Sequence, residues 1–340
     1  MKIALLTPTF LFYSGIDRLV EGNAQELMKK GHEVMIMTLH AEMKSNANVV
    51  ELGMPKDATL QRIFRLFFYD RGKIIQAAKM LKGYDKVVSY FYPMNLIAKE
   101  AKKRYGCHYQ YYNAGVTWPY LFSNPFERAY MWLFTKFTNR SVKGCDSAVS
   151  ISEFLRGVLK RETGVDSEVR YIPVDKKRFN RKVRDKEIRY RLLLGKDPVL
   201  LYVGRISPHK GIHDLIGAYK IAKKRIPNLW LVLVGKHTFP EYSKRLKAMA
   251  DKQVLFEDFV PDRLLPEYYA ASTLYVTASY WEGYDIPVVE AQSCGKRVVA
   301  YDAGSHPEVV KEGTLVKTGD VNGFAAAIVE EVGGTFKKRS

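Results

Sequence analysis

Short runs of β-branched and other apolar residues alternate with helical patterns along this chain, and the alternation restarts after residue 198. Runs of this length, separated by helices, build βαβ units and a parallel sheet rather than an all-β fold or a helical bundle. The predicted strands cover residues 3–7, 34–38, 86–90, 108–112, 148–151 and 169–172, and then 199–203, 229–234, 254–257, 274–277, 298–301 and 314–316. The restart predicts two α/β domains, each with a doubly wound, Rossmann-like parallel sheet.

The boundary between the two predicted domains lies near residue 175. There, Pro173-Val174-Asp175 precedes a strongly charged stretch, residues 176–186, that has no apolar period and suits an interdomain connection. A length of 340 residues also exceeds what one hydrophobic core usually supports. We therefore expect domains over residues 1–174 and 175–340, facing each other across a cleft that is the default ligand site.

The charge of the chain favours anionic partners. The 54 basic and 36 acidic residues give a net charge of +18, and residues 1–180 alone carry +11. Phosphate ligands, an acidic membrane surface and nucleic acid all fit such a balance. The sequence has no zinc-finger, RRM or basic-zipper pattern, so nucleic-acid binding rests on charge alone.

The sequence also bears on the compartment in which the protein works. Its opening apolar run, residues 3–6, is too short for the core of a signal peptide. Cys107, Cys145 and Cys294 show no spacing typical of a zinc site or a disulfide framework. We expect a cytoplasmic protein with reduced cysteines.

The segment after the first strand of the second series contains two glycines and two basic residues. Gly204 ends the strand, Arg205 and Lys210 place two cations within a few residues, and Gly211 precedes a helix predicted to begin near Ile212. Helix N-terminal amides and both cations can converge on one anion, which predicts a diphosphate clamp. A basic surface turn accounts for the same spacing.

A second polar segment, residues 279–291, follows a later strand of the same series. Glu282 is predicted to lie in the loop, and Glu290 in the first turn of a helix that Pro287 can start. Carboxylates accept hydrogen bonds from sugar hydroxyls, which gives these glutamates a binding role. The helix dipole alone would also explain an acidic residue at the position of Glu290.

Gly-Arg-x4-Lys-Gly followed by Glu-x7-Glu resembles the family 4 retaining glycosyltransferases of the GT-B fold, also called glycosyl transferases group 1. Gly31-His32-Glu33-Val34, Ile151-Ser152-Glu153, Gly295-Lys296-Arg297-Val298-Val299 and Pro307-Glu308-Val309-Val310 support the resemblance, which covers most of the chain. It implies hexosyl transfer from a UDP-sugar or GDP-sugar to a lipid-linked or polysaccharide acceptor. It further implies that residues 1–174 bind the acceptor and residues 175–340 the donor.

The resemblance also implies roles for single residues. Arg205 and Lys210 are expected on the diphosphate, Glu282 near the donor sugar and Glu290 on the ribose, and the first three are the expected catalytic residues. Further donor contacts are expected at Gly15, Gly204, Val260, Gly283, Tyr284, Asp285 and Ile286. No metal and no other cofactor is expected, since the sequence has no Asp-x-Asp pair for a divalent cation. Protein cations would then neutralise the leaving group.

Three positions depart from the family pattern. Asn113 stands where many members have a histidine, and it is the expected acceptor-side residue. Asp285 stands where the family usually has glycine, and it adds a carboxylate that can bind a sugar hydroxyl or repel a phosphate. Ser14 replaces the first of two glycines beside Gly15, and an ordinary turn also explains Gly15.

A basic and aromatic segment predicts contact with an anionic membrane. Residues 60–104 contain eleven basic and three acidic side chains. Its apolar residues cluster at Ile63, Phe64, Leu66, Phe67, Phe68 and Tyr69. Such a segment can lie on anionic headgroups, which predicts peripheral association with the cytoplasmic membrane face, or pack its aromatics into the sheet.

Two other functions fit the sequence less completely. A nucleotide-sugar epimerase can share the double-Rossmann plan, and isomerisation of the donor instead of transfer would identify it. A nucleic-acid-binding protein is suggested by the charge, and a donor affinity that resists salt would count against it.

Overall fold

The structure, a computed structural model, describes residues 1–11, 15–55, 57–67, 71–122 and 124–337. The chain divides into two compact units, Met1–Ile172 and Pro173–Ser340. Each unit contains one parallel sheet whose strands alternate with helices along the chain, which confirms the predicted α/β class. None of the helices in the described ranges has both the length and the apolar content needed to cross a bilayer.

The first unit is built on seven parallel strands. They are β1 (Lys2–Phe10), β2 (Glu33–Ala41), β3 (Asn48–Glu51), β4 (Lys86–Ser89), β5 (His108–Asn113), β6 (Ser147–Ser150) and β7 (Glu168–Val169). Its helices are α1 (Gly15–Lys29), α2 (Ala58–Phe67), α3 (Arg71–Lys79), α4 (Met94–Tyr105), α5 (Pro125–Val142) and α6 (Glu153–Thr163). The strands lie in the order β3-β2-β1-β4-β5-β6-β7.

The second unit repeats the plan with six parallel strands. They are β8 (Val199–Val203), β9 (Trp230–Val234), β10 (Val254–Glu257), β11 (Leu274–Thr277), β12 (Arg297–Tyr301) and β13 (Gly313–Val316). Its helices are α7 (Lys186–Arg191), α8 (Ile212–Lys223), α9 (Pro240–Met249), α10 (Leu265–Ala271), α11 (Ile286–Ser293), α12 (His306–Val309) and α13 (Val321–Lys337). The strands lie in the order β10-β9-β8-β11-β12-β13.

Burial on both faces of the sheets explains why the strands were visible in the sequence. In β1 the residues from Ile3 to Pro8 are all buried, and the inner strands β8 and β11 are buried almost throughout. Helices cover both faces of such a sheet, so its strands read as continuous apolar runs. The edge strand β3 was missed because only Val49 and Val50 of its four residues are apolar.

The order of strands places the two chemical segments side by side. In the second sheet β8 pairs with β9 on one side and with β11 on the other, although 70 residues lie between the end of β8 and the start of β11. Connections leave the two strands in opposite directions at this position. Ligands of open α/β sheets bind at such switch points, beyond the carboxyl ends of the strands.

Candidate functional site

The loop after β8 is pressed against the loop after β11. Gly211 has φ +64°, and a Cβ at this position would lie 2.0 Å from the carbonyl oxygen of Ala278. The backbone N–H of Tyr280 donates to the carbonyl oxygen of His209 at 3.0 Å. Glycine after Lys210 is therefore required by this close approach, which explains the Lys-Gly half of the motif.

The two cations of the predicted clamp differ in their surroundings. Arg205 is exposed, and its guanidinium makes neither a hydrogen bond nor an ion pair within the described part of the chain. Lys210 is only 16% exposed in its side chain, and its Nζ donates to Oε1 of Glu282, which is 9% exposed. Two residues predicted to act on different parts of the donor thus contact each other directly.

The N-terminus of α8 is less open than the sequence suggested. The helix begins at Ile212 as predicted, but the N–H of His213 donates to the hydroxyl of Tyr242 at 3.2 Å. Tyr242 lies on α9, and its ring packs edge-on against the imidazole of His213. The N–H of His213 is therefore capped by a side chain of the same unit, and convergence of the helix N-terminus on an anion stays a prediction.

The loop after β11 leads into α11, with Pro287 in its first turn as predicted. Glu282, Tyr284 and Asp285 are buried in this loop. Glu290 lies beyond the first turn, which contains no acidic residue, so its predicted position is wrong by part of a turn. The helix dipole, which acts within the first turn, therefore does not account for Glu290.

A tyrosine holds the carboxylate of Glu290. Glu290 is buried, and its Oε2 accepts a hydrogen bond of 2.7 Å from the hydroxyl of Tyr269 on α10. The ring of Tyr269 is itself packed between Phe179 and Tyr275. A buried carboxylate needs such partners, and this one fixes the direction of the Glu290 side chain.

A third loop, which follows β12, closes over the loop of Glu282. Gly304 has φ +59°, and a Cβ there would lie 2.3 Å from the carbonyl oxygen of Glu282. The N–H of Ser305 donates to the same carbonyl at 3.1 Å. The loops after β8, β11 and β12 therefore form one packed cluster within the second unit.

The contact between Asp285 and His306 joins the same two loops by side chains. Nε2 of His306 lies 2.9 Å from Oδ2 of Asp285, and Nδ1 lies 2.6 Å from the carbonyl oxygen of Tyr301. His306 is fully buried. Burial alone would lower the pKa of His306, but the hydrogen bond and charge of Asp285, then the charge of Glu282, outweigh it and raise that pKa above its ordinary value.

The two clamp cations also act on His209. Burial, and then the positive charges of Lys210 and Arg205, hold the pKa of His209 well below its ordinary value. His209 is therefore neutral at physiological pH. The positive charge beside the loop after β8 belongs to Arg205 and Lys210.

Within the described residues, Glu282, Asp285 and His306 bring three potential metal-ligand atoms within 4.8 Å of one another. Lys210 already donates to Glu282, and His306 contacts Asp285. These atoms therefore have partners that carry the compensating charge. The expectation that no metal takes part stays a prediction.

The remaining residues predicted for the site lie in both units. Val260 is buried in the turn between β10 and α10, and Gly204 directly follows β8. In the first unit Gly15 is the first residue of α1, while Ser14 lies outside the described residues. Gly283, Tyr284 and Ile286 belong to the β11 loop and the start of α11.

Asn113 ends β5 and is tied into the first unit. Its Nδ2 donates to Oγ of Ser150 at 3.0 Å and to the carbonyl oxygen of Leu155 at 3.1 Å, and its Oδ1 accepts from the N–H of Gly115. These bonds use both protons of the amide nitrogen. A contact of Asn113 with an acceptor stays a prediction, and the bonds give the residue a structural role.

Three residues of the site were not found in the sequence. Tyr269, Tyr242 and His306 lie 21, 29 and 21 positions from the residues that they contact. A tyrosine or histidine at such a separation carries no periodic signal. Their positions follow from the order of the strands.

Two family profiles match the chain. The profile described as Glycosyltransferase Family 4 matches residues 13–175, and the profile described as Glycosyl transferases group 1 matches residues 183–331. One match falls in the first unit apart from its last residues, and the other falls entirely in the second unit. Together they include the Gly-Arg-x4-Lys-Gly and Glu-x7-Glu segments.

Curated relatives match part of the chain. It is 32% identical over 140 residues to the O-antigen chain mannosyltransferase B of Escherichia coli, with 39% of this chain and 36% of that protein covered. It is 28% identical over 201 residues to the GDP-mannose-dependent alpha-(1-6)-phosphatidylinositol monomannoside mannosyltransferase of Mycolicibacterium smegmatis, with 54% and 52% covered. The chain thus spans about half the length, or less, of these relatives.

Solved structures match the whole chain in fold. Sucrose-phosphate synthase from Thermosynechococcus elongatus has a TM-score of 0.82 at 20% identity, with 98% of this chain and 90% of that chain covered. HepE of Anabaena, in complex with UDP and glucose, has a TM-score of 0.78 at 20% identity, with 99% and 91% covered. At this level of identity the likeness shows the fold, which is the GT-B class that the sequence predicted.

Proposed function

This chain belongs to the family 4, group 1 glycosyltransferases, and we propose that it transfers a hexosyl group from a nucleotide diphosphate sugar to an acceptor with retention of configuration. One observation carries the proposal. Exposed Arg205 and partly buried Lys210 lie in the loop after β8, at the switch point of the second sheet. Glu282 and Glu290 lie in the loop after the adjacent strand β11 and in the helix α11 that follows it. Two cations and two oriented carboxylates suit a diphosphate that carries a sugar and a ribose.

Arg205 and Lys210 would neutralise the charge that develops on the leaving diphosphate. The exposed guanidinium of Arg205 is available to a ligand, whereas Lys210 is held in place by Glu282. A cation that is already oriented needs little reorganisation during the reaction, which is the basis of electrostatic catalysis. Glu282 therefore has two proposed tasks, which are to position Lys210 and to bind the donor sugar.

Glu290 would bind the ribose of the donor. Tyr269 occupies Oε2 of Glu290. A carboxylate oxygen has more than one lone pair, so this oriented carboxylate can also accept hydrogen bonds from ribose hydroxyls. These assignments give donor binding to the unit Pro173–Ser340, and we assign acceptor binding to the unit Met1–Ile172 because the family resemblance implies it.

Thermal shift with a panel of UDP-sugars and GDP-sugars tests the proposed donor class. Both bases belong in the panel, since HepE was solved with UDP and the mycobacterial relative is named for GDP-mannose. A ligand at 100 times its Kd adds about 2.7 kcal/mol to the free energy of unfolding, which gives a clear shift. Stabilisation by no nucleotide sugar would contradict the proposal. Isomerised donor without transfer would identify an epimerase.

Exposed aromatic side chains on the first unit support a lipid-linked acceptor. On α5, Phe126 is 86% exposed and Trp132 is 54% exposed, and Nζ of Lys136 lies 4.9 Å from the centre of the Trp132 ring. Leu60 and Ile63 of the neighbouring α2 are also exposed. Exposed aromatics beside basic residues are typical of surfaces that bind an anionic bilayer.

The structure changes the details of the membrane segment predicted from sequence. Phe64 packs against the core of the first unit and Leu66 is buried, while Phe68 and Tyr69 lie outside the described residues. Burial lowers the pKa of Arg65, and the Nε of this arginine is buried. Arg65 is therefore unsuited to contact headgroups. We propose that α5 and the exposed side chains of α2 form the membrane surface.

Vesicle co-sedimentation tests this surface. Binding to vesicles with acidic lipid should fall steeply between low and physiological salt, because surface charges are screened within about 8 Å at physiological ionic strength. Replacing Phe126 and Trp132 by alanine should weaken binding at least tenfold, whereas Tyr190→Ala, an equally exposed aromatic of the second unit, should not. Equal effects of both changes would favour a saccharide acceptor free in solution.

A further inference from the structure

Asp285 has a backbone conformation that side chains rarely adopt. Its φ is +34° and its ψ is +71°, which is the left-handed region, and it directly precedes α11. Glycine enters this region without steric cost, and aspartate and asparagine are among the few other residues that tolerate it. The chain therefore carries a carboxylate in the donor loop where the backbone favours glycine.

The hydrogen bonds of His306 determine its protonation. Nδ1 lies 2.6 Å from the carbonyl oxygen of Tyr301, and a carbonyl oxygen only accepts, so Nδ1 carries a proton. Nε2 lies 2.9 Å from Oδ2 of Asp285. An ionised carboxylate also only accepts, so Nε2 carries a proton as well. With Asp285 ionised, His306 is therefore an imidazolium that donates from both nitrogens.

The charged groups around His306 form two matched pairs. Asp285 faces Nε2, Glu282 lies close enough to attract the positive charge, and Tyr301 contributes its carbonyl dipole. Lys210 donates to Glu282. Each buried carboxylate of the cluster therefore has one cation, as buried charges require.

We propose that His306 is a positioning residue of the donor site, which holds Asp285 in its left-handed conformation and cancels a negative charge that would otherwise oppose the donor diphosphate. This inference rests on the proposed function, because it places a nucleoside diphosphate beside the loop of Asp285. It deepens that function by assigning Asp285 and His306 to one coupled unit. The charge of Asp285 is tolerated beside the donor because His306 is present.

A cycle of three variants tests the coupling. His306→Gln keeps a donor toward Asp285 but removes the charge, Asp285→Asn keeps a side chain that tolerates the left-handed region, and the third variant combines both changes. Isothermal titration with UDP and GDP measures binding of the charged ligand, and titration with uridine and guanosine measures binding of the neutral part. Circular dichroism and thermal melting establish that each variant folds.

The proposal predicts a charge-dependent loss. His306→Gln should weaken binding of the diphosphate that the wild type prefers by about tenfold, which corresponds to about 1.4 kcal/mol, and should change nucleoside binding much less. Adding Asp285→Asn should restore most of the lost diphosphate affinity, because the uncompensated carboxylate is then gone. An equal loss for nucleoside and diphosphate, or a loss that Asp285→Asn does not relieve, would overturn the proposal in favour of simple packing.

A second measurement needs no ligand. Side-chain ¹⁵N NMR of His306 at about pH 7.5, one unit above the ordinary pKa of histidine, should show both nitrogens protonated. A neutral tautomer in the folded wild type would overturn the proposal. If the wild type binds neither UDP nor GDP, the proposed function fails, whereas the NMR result still decides the charge of His306.

Discussion

Replacing Lys210 with alanine should damage the protein in two separable ways. The change leaves Glu282 without its cation, and that carboxylate is 9% exposed. Removing one partner of a buried pair costs about 3 to 5 kcal/mol, and we expect about 3 because the pair is not fully buried. The change also removes a cation from the leaving diphosphate, which should lower kcat by about a hundredfold or more.

A double variant separates the two effects. In Lys210→Ala with Glu282→Gln, the buried negative charge is gone, so most of the lost free energy of unfolding should return. Turnover should not return, because the cation on the diphosphate is still missing and Glu282→Gln by itself lowers kcat. Urea denaturation measures the first quantity, and initial rates of nucleoside diphosphate release from the donor measure the second.

The same helix region offers a matched control. Lys223, in the last turn of α8, pairs with Asp251 at 2.7 Å, with side chains 21% and 34% exposed. Lys223→Ala should cost about 1 kcal/mol, because Asp251 is more exposed than Glu282 and water can solvate its charge, and it should leave kcat unchanged. A Lys210→Ala enzyme with near-normal turnover, or a double variant that regains turnover, would refute the clamp.

Three further predictions follow from the site. Arg205→Ala should change the free energy of unfolding by no more than about 0.5 kcal/mol, since the guanidinium is exposed, yet lower turnover about a hundredfold. The control Arg225→Ala, an exposed arginine of the same unit, should change neither stability nor turnover. Tyr269→Phe and Glu290→Gln should raise the donor KM several-fold and leave kcat within about twofold, whereas Glu282→Gln should chiefly lower kcat. Steady-state kinetics in which the first two variants lower kcat and Glu282→Gln raises KM would contradict these roles. Folding raises the pKa of His306, so the stabilisation that its charge contributes is complete below about pH 6.5 and declines as the pH rises through the raised pKa. The difference in free energy of unfolding between wild type and His306→Gln, measured by urea titration, should therefore shrink with rising pH. A difference that grows with pH would contradict this prediction.

The sheets could be predicted because their strands are buried on both faces. Each of the twelve predicted runs overlaps a strand of the structure, from β1 to β13. The missed strand β3 is a four-residue edge strand, and its partly exposed residues leave too short an apolar run. The pattern of apolar residues along a sequence reflects burial, so it does not identify the strands that are least buried.

The clamp and the glutamates could be predicted because strand ends concentrate chemistry. The structure also explains why position 211 is a glycine, since a Cβ there would clash with the carbonyl oxygen of Ala278. The contacts among these residues could not be predicted, since Lys210 and Glu282 are 72 positions apart in the chain. The order of the strands brings them together, and sequence spacing does not report that order.

Asp285 shows where a departure from the family pattern becomes informative. The sequence marked Asp285 as an unusual carboxylate in the donor loop, but nothing in the sequence connected it with His306. The structure places His306 Nε2 2.9 Å from it. A buried carboxylate requires a partner, and the structure identifies that partner of Asp285 as His306.

The most direct test of the central claim is ¹H NMR of the reaction between the donor found by thermal shift and a panel of lipid-linked and free saccharide acceptors, with EDTA present throughout. We predict that nucleoside diphosphate accumulates in EDTA, because Arg205 and Lys210 supply the charge on the leaving group. We also predict a glycoside with the anomeric configuration of the donor, as transfer with retention requires. Turnover that is absent in EDTA and appears with magnesium or manganese, or a glycoside of the opposite anomeric configuration, would contradict the account.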